Sequence, residues 1–241
     1  MDEIYNNLAL ELNNKIKINK QYWLGITGGP GAGKSTLSNK LKNIMSQKYN
    51  IKTLIIPMDG YHYTKKNLIE KDNYNFFFLK RRGSPMTFDV NNFINNLLVA
   101  KNSEESIYFP SFCRIFDDPI NNDIEYNSSY QLIIVEGNYL KIGHLLENEI
   151  DFDSYLESKK WIKLNNLFNE TWYIDVNGGD EIQRERLIKR HLETWNHEKN
   201  LLWQVNNKLD GATKQTDFND IPNLNLVSKT KKYCDKIIVS F

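Results

Sequence analysis

No stretch of the 241-residue sequence approaches the roughly 18 consecutive apolar residues that a membrane-crossing helix needs. The opening residues, Met1-Asp2-Glu3-Ile4-Tyr5, also lack the basic stretch and apolar core of a secretory leader. A soluble, cytoplasmic protein is the expectation. Cysteine is scarce: Cys113 and Cys234 lie far apart, so a disulfide framework is disfavoured and reduced thiols are expected. His62, His144, His191 and His197 show no zinc-like spacing with one another or with the cysteines. Neither sign of charge dominates, because 31 Lys plus Arg against 30 Asp plus Glu leave +1 at pH 7. No strong field therefore draws the chain to nucleic acid or to an acidic membrane, and small molecules are the expected partners. There is no internal repeat, and the many asparagines are scattered rather than gathered in a linker.

What is present is more pointed. An apolar content of 40% can build a sizeable core for one α/β domain with insertions. The segment Gly28-Gly29-Pro30-Gly31-Ala32-Gly33-Lys34-Ser35 is a full G-x-x-x-x-G-K-[ST] phosphate loop. Tyr22 to Thr27 before it is a strand candidate, and Leu37, Leu41, Ile44 and Met45 after it recur at helical spacing. A strand-to-helix turn of this kind wraps backbone N–H groups around phosphate oxygens and adds the positive end of the helix dipole. Lys34 would reach the β- and γ-phosphates and Ser35 would ligate Mg²⁺, with Thr36 continuing the loop into the helix.

Further strand candidates are Ile51 to Met58, the uninterrupted apolar run Leu132 to Val135, Thr171 to Val176, and Lys236 to Phe241. Helical patterns precede the first strand, as an extension over residues 1–20, and run from Phe88 to Leu98 and from about Asp180 to Glu193. Between about 60 and 120 the pattern breaks into short pieces, which suggests a substrate-side insertion. The alternation predicts an α/β fold with a doubly wound, mainly parallel sheet of the P-loop type, ligands at the carboxyl ends of its strands and a lid helix near 180–196. Residues 1–241 are expected to form a single domain.

Two acids fall at strand ends. Asp59 follows the second strand, and the neighbouring Tyr61, His62 and Tyr63 suit a pocket for a polar organic acceptor better than a solvated Asp-Gly turn. It could accept a hydroxyl proton as that oxygen attacks the γ-phosphorus. Glu136 ends the buried run at the position of a Mg²⁺-linked acid; it could reach the metal directly, reach it through water, or hold the acceptor. Arginines form three groups: Arg81 and Arg82 before a Gly-Ser-Pro turn, Arg114 after Phe112-Cys113, and Arg184, Arg186 and Arg190 in the charged helix. Arg186 and Arg190 share a helical face and could close a cationic lid over the γ-phosphate, whereas Glu181 and Glu185 among them also fit an ordinary salt-bridged helix. Asn207-Lys208-Leu209-Asp210 imitates a guanine-reading motif, but the helical spacing of Leu201, Leu202 and Val205 before it argues against a GTPase switch.

These segments together, with Met58-Asp59-Gly60-Tyr61-His62, Arg81 to Asp89 and Ile134-Val135-Glu136-Gly137-Asn138-Tyr139-Leu140, resemble the uridine kinase, phosphoribulokinase and bacterial pantothenate kinase superfamily. The nearest likeness is to its fructose-transport-kinase-like, or pantothenate-kinase-like, branch. The resemblance covers roughly residues 20–241 and implies ATP- and Mg²⁺-dependent phosphorylation of a small-molecule hydroxyl: a nucleoside, a sugar or a pantothenate-like compound. Asp59 matches the family's base, Lys34 and Ser35 its phosphate and Mg²⁺ contacts, Glu136 its second acid, and Arg186 and Arg190 its lid helix. Asn219-Asp220-Ile221-Pro222-Asn223 resembles the late segment that approaches the nucleotide base, which would bring in Asn219 and Asn223. On the substrate side stand Tyr61, His62, Arg81, Arg82, Arg114 and Tyr139. One departure is Phe112-Cys113-Arg114, where relatives commonly carry Phe-Asp-Arg; Asp117 or Asp118 could compensate. A homodimer is compatible with this reading. From another class, a nucleotide-binding regulatory NTPase would need the loop but no acceptor-activating carboxylate.

Overall fold

A computed structural model describes residues 2–18 and 21–240. Its strands are β1 (Tyr22–Thr27), β2 (Thr53–Pro57), β3 (Ile107–Cys113), β4 (Asp118–Tyr126), β5 (Leu132–Glu136), β6 (Glu170–Val176) and β7 (Lys236–Ser240). Its helices are α1 (Asp2–Ile16), α2 (Lys34–Tyr49), α3 (Lys65–Lys71), α4 (Phe77–Lys80), α5 (Val90–Asn102), α6 (Phe152–Lys159), α7 (Gly179–Glu193), α8 (His197–Trp203), α9 (Lys208–Gln215) and α10 (Ile221–Ser228). Five strands form one sheet in the order β2-β5-β1-β6-β7, and every pairing in it is parallel.

The period-two alternation of the buried strands divides the core between the two faces of this sheet. Leu24, Ile26, Leu132 and Ile134 point to one face, where Leu8, Leu12 and Ile16 of α1 and Leu37, Leu41 and Met45 of α2 cover them. Trp23, Ile133 and Val135 point to the other, against Phe93 and Leu97 of α5, Trp161 and Leu164. Helices on both faces of a parallel sheet make this the doubly wound α/β architecture that the alternation of strands and helices implies. The expected boundaries are close. Strand two stops at Pro57, because Met58–Tyr61 turns as a 3₁₀ helix. Of the expected last strand, Phe241 lies outside the described residues, as do residues 1, 19 and 20 of the expected N-terminal extension.

The hairpin β3–β4 was not anticipated. It is antiparallel and separate from the main sheet, with a register shift between Phe109 and Ser111. Its strands read poorly because one side faces water, as Tyr108, Asn121, Asn122 and Asp123 show, and Pro110 sits at the bulge, where a missing N–H is tolerated. The buried rings of Phe109 and Tyr126 meet edge to face at its base.

Candidate active site

The phosphate loop leaves the carboxyl end of β1, the strand flanked by β5 and β6 where the order of the sheet reverses. Gly28 stands at φ 150°, and a Cβ there would lie 2.7 Å from the carbonyl oxygen of Ile174 on β6, so only glycine lets the loop leave the sheet this way. The first turn of α2 then faces the crevice with amides that have no partner inside the helix. Lys34 folds back over the loop: its Nζ donates to the carbonyls of Gly28 and Gly29, both at 3.0 Å, and to Asn138 Oδ1 at 2.6 Å. Burial pulls its ammonium down to about 8, partly opposed by the charges of Glu136 and Asp59.

Glu136 is paired in register with Ile26 of β1 and Pro57 of β2, so the acid stands between the loop and the turn that carries Asp59. Burial raises its carboxyl, opposed by the Lys34 charge and a hydrogen bond from Ser35. Its Oε2 is buried without a hydrogen-bond partner. A buried carboxylate oxygen with no donor, beside a loop serine and a lysine, fits a hard divalent cation with oxygen ligands. Asp59, half-buried, follows two residues after Pro57 and interacts electrostatically with Lys34, Glu136 and His62.

The neighbours of Asp59 diverge. The Tyr61 ring is buried on Phe93, at 4.9 Å, and its hydroxyl accepts from Asn96 at 2.9 Å, so it faces α5 rather than the crevice. The His62 ring lies between Phe88 at 4.0 Å and Phe112 at 5.1 Å, with Nδ1 2.8 Å from the Asp59 carbonyl; burial pushes its pKa down. Tyr139 is fully buried and donates to the carbonyl of Gly83 at 2.5 Å.

Among the arginines the structure sorts the free from the engaged. Arg82 is enclosed: Nη2 donates to Asp118 Oδ1 at 2.8 Å and to the Tyr63 carbonyl at 3.1 Å, and Nη1 donates to the Asp117 carbonyl. Arg81 donates to the Phe218 carbonyl at 2.8 Å, and burial lowers its pKa. Arg114 is exposed in the hairpin turn, and its charge acts on Lys34 and Glu136. Arg184 makes a fork to both oxygens of Asp217, at 2.6 and 2.8 Å. Arg186 and Arg190 are half-buried on α7, and among the described residues neither pairs with a carboxylate; the Arg190 charge acts on Lys34.

The late asparagines are almost fully buried. Asn219 donates to the Arg82 carbonyl at 2.5 Å and accepts from Asn223 at 3.3 Å, so both brace the Arg81 to Gly83 turn. The guanine-reading look-alike is a helix cap: Asn207 accepts from the Asp210 amide at 2.9 Å at the start of α9. Two residues not singled out in sequence stand at the loop. Asn138 holds Lys34, and Gln183 of α7 donates to the Pro30 carbonyl at 2.6 Å while Leu187 packs near Gly31. Asn138 was legible as part of Glu-Gly-Asn-Tyr-Leu; a buried glutamine one turn before Leu187 carries no sequence signal of its own.

Comparison with known proteins gives a consistent neighbourhood. Residues 2–143 match the KAP family P-loop domain. A provisionally named uridine kinase of Schizosaccharomyces pombe is 31% identical over 230 residues, 95% of this chain and 85% of its own length. The crystal structure of a provisionally named fructose transport system kinase from Silicibacter sp. TM1040 aligns with a TM-score of 0.68 at 26% identity, covering 90% of this chain and 89% of that one. That of YFH7 from Saccharomyces cerevisiae, described as a P-loop containing kinase with a circular permutation, aligns at 0.71 over 99% and 98%. Its 20% identity shows likeness of fold alone.

Proposed function

Because the chain belongs to the P-loop kinases, with a KAP family P-loop domain in residues 2–143, we propose that it moves the γ-phosphoryl group of ATP to a hydroxyl of a small metabolite. One observation carries the reading: Asp59 and Glu136 stand at the carboxyl ends of neighbouring parallel strands, within electrostatic reach of Lys34. With Glu136 on the metal side, Asp59 is left as the acid that can take a proton from an acceptor hydroxyl. Residues 1–241 are read as one kinase domain, the segment 60–120 forming its acceptor side.

Bound ATP supplies the phosphoryl group and Mg²⁺ neutralises its charge, with Ser35 and Glu136 the residues to hold the ion. Lys34 exchanges the Gly28 and Gly29 carbonyls for phosphate oxygens while Asn138 keeps its ammonium oriented. Asp59 takes the proton from the acceptor hydroxyl as that oxygen bonds to the γ-phosphorus and the bond to the β-phosphate oxygen breaks, leaving ADP. Arg186 and Arg190, both without carboxylate partners among the described residues, add positive charge over the transferring group. Arg114 is the exposed cation best placed to meet an acceptor; Arg82, enclosed by Asp117 and Asp118, serves the pocket wall instead. A nucleoside and a sugar are the acceptor classes that the reported relatives suggest, and a pantothenate-like alcohol is the one that the sequence resemblance adds.

The test follows ADP release by purified protein against a panel of such alcohols, beside a reaction without acceptor. One acceptor should stimulate release, and Asp59→Asn should abolish that stimulation while ATP binding stays near wild type. Release that no acceptor stimulates favours a regulatory NTPase, and undiminished turnover in Asp59→Asn removes the assigned base.

A further inference from the structure

The turn that carries Asp59 belongs to the parallel sheet, yet what lies on top of it belongs to the hairpin β3–β4. A Cβ on Gly60 would stand 2.3 Å from the carbonyl oxygen of Pro110, so the bulge of β3 rests directly on the Asp59-Gly60 backbone. Two residues further along β3, Phe112 packs against the His62 ring, and that ring meets the Asp59 carbonyl. Where the hairpin sits therefore decides how the turn under it is covered. Among the described residues no backbone ladder joins the hairpin to the main sheet, so side chains hold its outer end.

One cluster does so. Asp118, the first residue of β4, faces Cys113 across the hairpin. Its Oδ1 accepts from Arg82 Nη2 at 2.8 Å and from the Lys65 amide at the start of α3 at 2.9 Å. Arg82 also donates to the carbonyls of Asp117, on the hairpin, and Tyr63, beneath it. Its guanidinium carbon lies 5.5 Å from the centroid of the Phe112 ring. Contacts thus run without a break from Asp118 through Arg82 and Phe112 to His62 and the Asp59 carbonyl.

We propose that Asp118 is a positioning residue for phosphoryl transfer: with Arg82 it clasps the hairpin onto the Asp59 to His62 turn and fixes the acceptor side of the site. The clasp is a charge-assisted pair on an arginine side chain only 8% exposed, a setting in which geometry is held more firmly than by a fully exposed ion pair. The same clasp carries Arg114, in the turn between β3 and β4, whose charge acts on Lys34 and Glu136. Only the catalytic consequence rests on Asp59 being the base; the clasp itself is a matter of packing.

His62 reports on the clasp from the far end of the chain of contacts. It faces the charges of Asp59, Arg82 and Asp117, and burial between Phe88 and Phe112 keeps its pKa below the ordinary histidine value. Asp118→Asn would have opposite effects under two accounts. Loss of a negative charge alone, with the packing unchanged, would lower the His62 midpoint further. Release of the hairpin hydrates the ring and raises the midpoint toward about 6.5.

The experiment is a pH titration of ¹⁵N-histidine-labelled full-length protein by NMR, with His144, His191 and His197 as internal controls. The expected result is an upward shift of the His62 midpoint by at least half a pH unit in Asp118→Asn, with the other three unmoved. Asp118→Glu, which keeps the charge, should restore the wild-type midpoint. Phe112→Ala, which removes the ring and leaves the ion pair, gives the midpoint of a hydrated His62 for comparison, and Arg82→Lys, which cannot make the same fork of contacts to Asp118 and the Tyr63 carbonyl, should raise the midpoint as Asp118→Asn does and serves if that variant folds poorly. In the ADP-release assay with the stimulating alcohol, Asp118→Asn should lose at least tenfold in kcat with the KM for ATP within twofold of wild type. A His62 midpoint in Asp118→Asn at or below that of wild type overturns the clasp, whatever Asp59→Asn does. Unchanged turnover in Asp59→Asn overturns the base and leaves the clasp standing on the His62 result.

Discussion

Lys34 and Asn138 share a 2.6 Å hydrogen bond that ties the phosphate loop to the end of β5. The ammonium has two further acceptors, the carbonyls of Gly28 and Gly29, and these are the ones a phosphate must replace. Lys34→Ala should therefore weaken ATP binding, measured by calorimetric titration, and reduce turnover by about 10²–10³, the usual loss for one preorganised donor. Asn138→Ala leaves the ammonium in place but loosely aimed, and should lose about tenfold in turnover, the equivalent of one hydrogen bond to a charged group. Wild-type ATP affinity in Lys34→Ala would remove the loop assignment.

His191 of α7 and Asp220 before α10 meet at 2.6 Å, both under a tenth exposed. This pair, one residue from Arg190, fastens α7 to the C-terminal helices. Asp220→Ala leaves a buried imidazole without its partner and should cost about 1–3 kcal/mol, read as a lower urea midpoint at constant m. A midpoint equal to that of wild type would show that the pair does not anchor the helix.

Trp161 sits in an aromatic cluster with Phe88, Phe93 and Tyr139, at centroid distances of 6.0, 6.2 and 5.6 Å. The cluster supports the back of the turn that ends in Phe88, and thus one side of His62. Trp161→Ala should destabilise by about 3–5 kcal/mol. Trp161→Phe should cost distinctly less, because a ring stays in the cluster and the indole Nε1 has no hydrogen-bond partner among the described residues to lose. Equal losses in the two variants would contradict that account.

Glu149 accepts from the Lys232 ammonium, from the Leu146 amide at 2.7 Å and from the Tyr233 hydroxyl at 3.0 Å. Chiefly through the Lys232 bond, its carboxyl is pulled from the ordinary 4.5 down to about 2. A folded value below the unfolded one means that the unfolded chain takes up more protons in that interval, so this stability is present above about 4.5 and drains away as the pH falls toward 2. Thermal unfolding of wild type and Glu149→Gln should differ most near neutral pH and converge only as the pH falls to about 2. A constant difference across that range would exclude the carboxylate as its source.

Strands that run buried through the sheet were legible because both their faces are apolar: Leu132 to Val135 and Tyr22 to Thr27 lie within a residue of their observed bounds. Gly28 to Ser35 was legible for a different reason, since few other tasks demand that spacing of glycines before a lysine. The hairpin was not. Half its residues face water, a proline interrupts it, and the partner of Cys113 is settled by register rather than by any local pattern. Arg82 shows the same limit from the other side. Its place beside a glycine turn suggested a cation for the acceptor, and only the fold brings Asp117 and Asp118, 35 and 36 residues onward, around its guanidinium. Tyr61 was drawn toward Asp59 by adjacency, whereas the 3₁₀ turn sends consecutive side chains to different sides.

The sheet order β2-β5-β1-β6-β7 also bears on how the protein comes into being. The phosphate loop is complete in sequence at Ser35, yet the strands on either side of β1 span residues 132–136 and 170–176. A ribosome adding about 5–20 residues per second needs some seconds after making the loop before it supplies both flanks. Until β5 is made β1 has two open edges, and until β6 is made it has one, so nascent chains stalled short of about residue 176 should neither retain ATP nor resist protease at the loop. Nucleotide binding by such stalled chains, released one length at a time, would time the closing of the sheet around its central strand.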